Sequence, residues 1–222
     1  MYIMLTLRRV LRSASGTVVA GLLAFAPSAH ALEAFAGLGT TGLEVGVAER
    51  VGGSAGLRMS AEFLDLGRDF ERNGATYDTR LKFSSLGLYA DYFLAGGFRV
   101  SAGALLGSRK ASGNAVATNG TITINGTTYP AAGESVFAEA KFPSAAPYLG
   151  IGWGHHQSSQ GMSFYLDLGV VIGKVDAKLT PSPGILAAAG AANVAAEQAN
   201  LQESVDKLKV YPALKLGFGY KF

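Results

Sequence analysis

Eight ionisable residues sit at alternating positions inside apolar stretches: Glu44, Arg58, Glu62, Asp91, Arg99, Arg109, Asp167 and Lys215. On an extended chain, that spacing puts charge on one face and hydrocarbon on the other. Four acids and four bases so placed could pair with one another, line a narrow ion path, or serve as acid–base groups of an enzyme. Three further patterns bear on chemistry. Gly37-Leu38-Gly39-Thr40-Thr41-Gly42 fits a dinucleotide fingerprint, with Glu62 20 residues beyond. The fingerprint needs a helix next, whose N-terminus meets the pyrophosphate, and Leu43-Glu44-Val45-Gly46-Val47 alternates like a strand instead. Gly52-Gly53-Ser54-Ala55-Gly56 fits a nucleophile elbow, which works only between a strand and a helix; here it reads as a hairpin turn. His155-His156 is a histidine pair with no third metal ligand nearby, and neighbours on a strand point to opposite faces, so the expectation is two solvated turn histidines. No catalytic set, cofactor site or metal site is expected.

The elements that must position those charges start after residue 31. Arg8, Arg9 and Arg12 precede the apolar run Thr17 to Ala26, and Ala29-His30-Ala31 offers a small-residue cleavage site. Residues 1–31 therefore read as a cleaved secretory signal of the Sec type, and the run is too short to span a bilayer as a helix. That segment holds three of the 19 bases and none of the 16 acids, so residues 32–222 carry 16 of each. The chain's overall basicity then belongs to targeting, which removes the main support for a nucleic-acid partner. Absence of cysteine excludes disulfides, thiolate metal sites and thiol nucleophiles.

Residues 32–222 alternate with period two. Phe98, Val100, Ala102, Ala104 and Leu106 face Arg99, Ser101 and Gly103; Phe164, Leu166, Leu168, Val170 and Ile172 face Ser163, Tyr165, Asp167 and Gly169. One face is bulky and apolar, the other glycine-rich and charged, which suits lipid outside and a narrow filled interior. Strands are expected at 42–51, 55–70, 76–94, 98–111, 136–154, 162–180 and 209–222. A short one at 32–38 makes the number even. Short turns fall at 52–54 and 95–97 and a medium one at 155–161; the long connections are 112–135, with room for a small hairpin at Asn125-Gly126, and 181–208. The fold class is all-β: a closed antiparallel transmembrane barrel of about eight strands. Segment 181–208 is alanine-rich without period two, and Ser182-Pro183 can start a helix. Val194, Leu201, Val205 and Leu208 share one helical face, giving a helical extracellular excursion over the mouth. Tyr92, Phe98, Trp153 and Phe164, with Tyr220 and Phe222, fall on the apolar face near the short turns, where a periplasmic aromatic girdle belongs.

The last strand, Tyr211 to Phe222, resembles the C-terminal strand of Gram-negative outer-membrane proteins, and Pro147 to Gly154 looks like strands in small barrels of the OmpA, OmpX and OmpW type. The resemblance implies that Phe218, Tyr220 and Phe222 are read by the barrel-assembly machinery, and that the surroundings are outer-membrane lipid and lipopolysaccharide. It says little about activity, since such barrels serve as anchors, adhesins, channels and enzymes. The leading expectation is a non-enzymatic surface scaffold whose interior charges pair and plug it. The alternatives are a narrow channel for ions or small amphipathic solutes, and a lipid-modifying enzyme, for which no serine, histidine and acid cluster is evident. No extracellular ligand is identified. Deleting Phe222 should lower the amount of protein assembled in the outer membrane; unchanged surface levels would remove the assembly-signal argument.

Overall fold

The computed structural model describes residues 32–222 except 73, 74, 119, 157 and 158; the expected signal segment lies outside the described residues. The first five strands are β1 (Leu32–Gly39), β2 (Gly42–Arg50), β3 (Ala55–Arg72), β4 (Ala75–Ala95) and β5 (Phe98–Ala117). They are followed by β6 (Thr121–Ile124), β7 (Thr127–Pro130), β8 (Ser135–Lys141), β9 (Ala145–Trp153), β10 (Gly161–Ile172), β11 (Asp176–Pro181), helix α1 (Pro183–Asp206) and β12 (Val210–Lys221). Eight of them form a ring of antiparallel neighbours in the order β1-β2-β3-β4-β5-β9-β10-β12, and β12 returns to β1. The short N-terminal strand supplies that last join: Leu38 pairs with Leu216 and Ala34 with Tyr220.

The expected strands 136–154 and 162–180 are each divided. β5 is long enough to pair with β8 at one end and β9 at the other, and Pro143, which has no N–H, sits at the break. Beyond the break β8 pairs with β11, so the sheet continues past the ring as an extension of β3, β4, β5, β8 and β11. The connections at this end are unequal. β1–β2 turns within Thr40-Thr41 and β3 and β4 pair out to Arg72 and Ala75, so the sheet projects there by lengthening its strands, while the loops after β5 and β11 are long. The hairpin expected at Asn125-Gly126 is present as β6–β7, with both turn residues at positive φ, as a two-residue type I′ turn requires.

Helix α1 is broken at Gly190, whose φ of 75° and ψ of 153° are not helical. The break changes which residues face the sheet. Ile185 and Ala189 are buried against Ala117, Ile124, Ala131 and Val136; Val194 packs at the margin, Leu201 and Val205 are half-buried, and Leu208, beyond the helix, is exposed. Of the contacted residues, Ala117 and Val136 lie on the face of the extension that turns inward lower in the ring, and Ile124 and Ala131 come from the β6–β7 hairpin and the loop after it. The second half of the helix follows the otherwise open edge of β11. The Gln202 carboxamide accepts from the Ala177 N–H at 2.8 Å and donates to the Val175 carbonyl at 2.9 Å, and Gln198 accepts from Leu179 N–H at 3.3 Å. An unpaired strand edge is a template for aggregation, and two glutamines one helical turn apart cover this one. Gln202→Ala should speed hydrogen exchange at the Ala177 amide by about fivefold, as expected for losing about 1 kcal/mol of local hydrogen bonding; unchanged protection would show that the helix does not guard the edge.

Candidate functional site: the charged interior of the ring

Alternation divides the ring into two surfaces. Outward lie Leu57, Phe63, Leu88, Leu149, Leu166 and Leu216 among many others, all well exposed. At the short-turn end the outward surface is aromatic: Tyr92, Trp153, Phe164, Phe218, Tyr220 and Phe222 are exposed, and Phe98 is half-buried beside Trp153, its cross-strand partner. Phe164 and Phe218 face each other across β10 and β12 with ring centroids 5.8 Å apart.

Inward, the charged residues meet in two linked groups. Arg58 donates from Nε to Asp91 Oδ2 at 2.6 Å and from Nη1 to Asp167 Oδ2 at 2.8 Å. Arg99 donates to the other Asp167 oxygen and to the Gly154 carbonyl, and its Nε stands 3.6 Å from Asp91. Ser101 Oγ completes this group by donating to Asp91 at 2.5 Å. Nearer the long-loop end, Lys215 Nζ donates to Glu62 at 2.5 Å, Tyr89 Oη at 2.8 Å and Glu44 at 2.9 Å. Tyr89 and Tyr165 hydroxyls donate in turn to Glu62 and Glu44. Every charged member is at most 3% exposed.

Seven of the eight predicted interior charges thus meet. Arg109 does not join them: it is buried one layer higher, where it donates to Ser85 Oγ at 3.1 Å and to the Pro143 carbonyl. The break between β8 and β9 turns a carbonyl toward Arg109 that a regular ladder would have used, so a backbone acceptor replaces the expected acid.

The histidines overturn the expectation for them. Instead of standing in solvent, His155 and His156 are each 2% exposed. Both adopt left-handed φ, 59° and 53°, so the strand rule of opposite faces does not apply and the turn folds into the ring. Such a backbone costs about 1–2 kcal/mol per residue, and the contacts made offset it. His155 Nδ1 meets Glu33 Oε1 at 2.5 Å and its ring stacks on Tyr165 at 4.1 Å; the His156 N–H donates to Glu33 Oε2 at 2.6 Å, and its Nε2 lies 3.1 Å from Asp91. Glu33 was missed along with them because it stands on the short first strand, although two places before Phe35 it shares that strand's inward face. Small residues opposite were the readable signal for the histidines: a Cβ at Gly56 would run into His156, and one at Gly219 into Glu33.

Above the charges, Tyr89, Leu105, Ala146, Tyr148, Val171 and Ala213 close the interior with a dry layer. Beyond it, between the extension and α1, is an open apolar cavity of about 600 Å³, lined by Leu66, Leu81, Ala111, Ala138, Ala140 and Leu201, with Arg68 at its edge. Among the described residues no group of three or more possible ligands could hold a metal ion, and no helix is long and apolar enough to cross a membrane. The fingerprint glycines lie in β1, its turn and β2, and Ser54 is an exposed turn residue.

A ring of eight antiparallel strands with an apolar outside and a charge-paired inside defines a class of barrel-like all-β proteins. Solved structures of that fold include two from Acinetobacter baumannii. The crystal structure of CarO2 superposes with a TM-score of 0.62 at 21% identity, over 87% of this chain and 99% of that one. For CarO the values are 0.58 and 20%, over 86% and 98%. No protein-family model and no curated protein matches the chain.

Asp167 carries the test of the interior. Asp167→Ala leaves two guanidinium groups buried with Asp91 alone, and removing one partner of a buried ion pair costs about 3–5 kcal/mol. The urea midpoint of the folded protein should fall accordingly. A midpoint within error of the native value would mean that water reaches this layer.

Proposed function

We propose that the chain is a bacterial outer-membrane protein that crosses the membrane as a closed eight-stranded β-barrel, with a plugged interior and no catalytic role of its own. The observation that carries this is the interior itself. The ion pairs run from β1 to β12 across the ring, and the tyrosine and leucine layer seals them from the long-loop end. An eight-stranded barrel is just wide enough for side chains to fill. Support for the setting comes from the exposed apolar outer surface, from the aromatic residues gathered at the short-turn end, and from the CarO fold, which belongs to outer-membrane proteins.

In this reading residues 1–31 direct export, Phe218, Tyr220 and Phe222 form the segment taken up by the assembly machinery, and the aromatic girdle marks the periplasmic interface. The β6–β7 hairpin, the β8–β11 extension and α1 then stand outside the cell, and the apolar cavity under Leu201 opens there. The barrel holds that platform in place. A narrow channel for ions or small solutes is the competing outcome, and conductance separates the two. The mature chain, Leu32 to Phe222, should leave a planar bilayer silent, while Arg99→Ala combined with Asp167→Ala should produce small discrete steps. Reproducible steps from the native chain would replace the scaffold with a channel.

A further inference from the structure

Lys82, Lys110 and Lys141 occupy one row of the sheet, directly opposite each other on β4, β5 and β8. All three point outward, because their neighbours Phe83 and Arg109 are buried and Ala140 lies on the inward cavity face. Like charges in directly opposed positions destabilise a sheet, so three in succession call for a compensating anion. The structure supplies only part of it. Glu139 serves two of them, at 2.9 Å from Lys141 and 3.7 Å from Lys110; its carboxyl is held below the usual range by the hydrogen bond from Lys141 and by the Lys110 charge. Asp65 and Asp176 stand at the two ends of the row, and Asp65 is already 3.6 Å from Arg80. The next row outward adds Arg80 and Lys178 on the same face. Across the two rows five bases face three acids.

Height decides what the anion is. Lys82 lies ten residues along β4 from the girdle residue Tyr92, about 33 Å of strand. At the usual tilt of about 35–45° this is about 25 Å along the membrane normal, the height of the apolar band of an outer-membrane barrel. Between them the outward residues are Ala90, Leu88 and Leu86, and then Ser84. The lysines therefore emerge where the hydrocarbon of the outer leaflet ends and its headgroups begin.

We propose that Lys82, Lys110 and Lys141, with Arg80 and Lys178 behind them, form a binding site on the barrel wall for the phosphate groups of the phosphorylated glycolipid of the outer leaflet. The site rests on the membrane-spanning reading above. Its specificity is for phosphate held at headgroup height by acyl chains lying against Leu86, Leu88 and Leu106, and lysine serves as a point charge toward each phosphate.

The test uses the full chain expressed in a Gram-negative host, extracted in detergent and freed of bound lipid, with purified lipopolysaccharide as the probe. Native protein should bind lipopolysaccharide about tenfold or more tightly than the same glycolipid after phosphatase treatment. The K82Q/K110Q/K141Q variant should lose that preference, whereas K207Q, on the exposed end of α1, should keep it. Equal affinity of the native protein for the two glycolipids overturns the site, and because that comparison uses native protein only it does not depend on the variant folding. Complete displacement by millimolar inorganic phosphate overturns the assignment to a lipid and leaves a free-anion site. Gel mobility before and after boiling distinguishes the underlying reading: no difference for native protein removes the barrel and the site together, while a preserved difference without phosphate dependence removes the site alone.

Discussion

A carboxylate withdrawn from water must find its cations inside the ring, and Asp167 finds two. Arg58 and Arg99 approach its separate oxygens and both reach Asp91, so two acids and two guanidiniums neutralise one another in a space from which solvent is excluded. The other interior groups are arranged around this arithmetic. Lys215 alone bridges Glu44 and Glu62, one cation between two carboxylates. Glu33 receives the histidine turn, and the Ser101 and Tyr89 hydroxyls donate to Asp91 and Glu62. Buried polar groups are costly when unpaired, and every strand of the ring except β9 contributes a charged side chain to the set.

Large side chains lie down inside so narrow a ring only where the neighbouring wall positions are bare. Gly37 and Gly217 lie against the Tyr165 ring, Gly150 and Gly169 against Tyr148, and Gly87 and Gly103 against Tyr89. A Cβ at any of these positions would overlap the aromatic ring beside it. These six glycines are thus room for three tyrosines, whose hydroxyls and ring faces then meet the charges: Lys215 sits 4.8 Å from the Tyr89 ring centre and Arg58 4.9 Å from it.

Period two made the inward set legible in the sequence, because along a strand side and residue parity are the same thing. Glu44, Arg58, Glu62, Asp91, Arg99, Asp167 and Lys215 could be assigned to one face without knowing which of them touch. What parity could not reach lies where the backbone leaves the extended conformation. His155 and His156 turn inward through two left-handed residues, and nothing in a histidine pair announces that. Arg109 was placed on the correct face but given an acid, since a carbonyl freed at Pro143 has no trace in side-chain types. Of the helical face expected in 181–208, Val194, Leu201 and Val205 do turn inward and Leu208 does not; Ile185 and Ala189 were missed because Gly190 sets the first turns out of phase with the rest. Glu33 was lost for a different reason: a strand of eight residues gives too few alternations to weigh.

The partners in the interior are far apart along the chain. Arg58 and Asp167 are separated by 109 residues, Glu33 and His155 by 122, and Glu44 and Lys215 by 171. A sheet grown only from β1 to β5 would contain Glu44 and Glu62 without their lysine and Arg58 with one of its two acids. Loop-closure entropy makes such distant pairings late events, and here lateness has a use. The strand that brings Lys215 is also the one that joins β1 and leads into Phe222, so the cation for Glu44 and Glu62 and the last strand of the ring arrive together. A ring lacking its last stave leaves two buried carboxylates facing each other without a cation, and only the finished one brings the lysine between them.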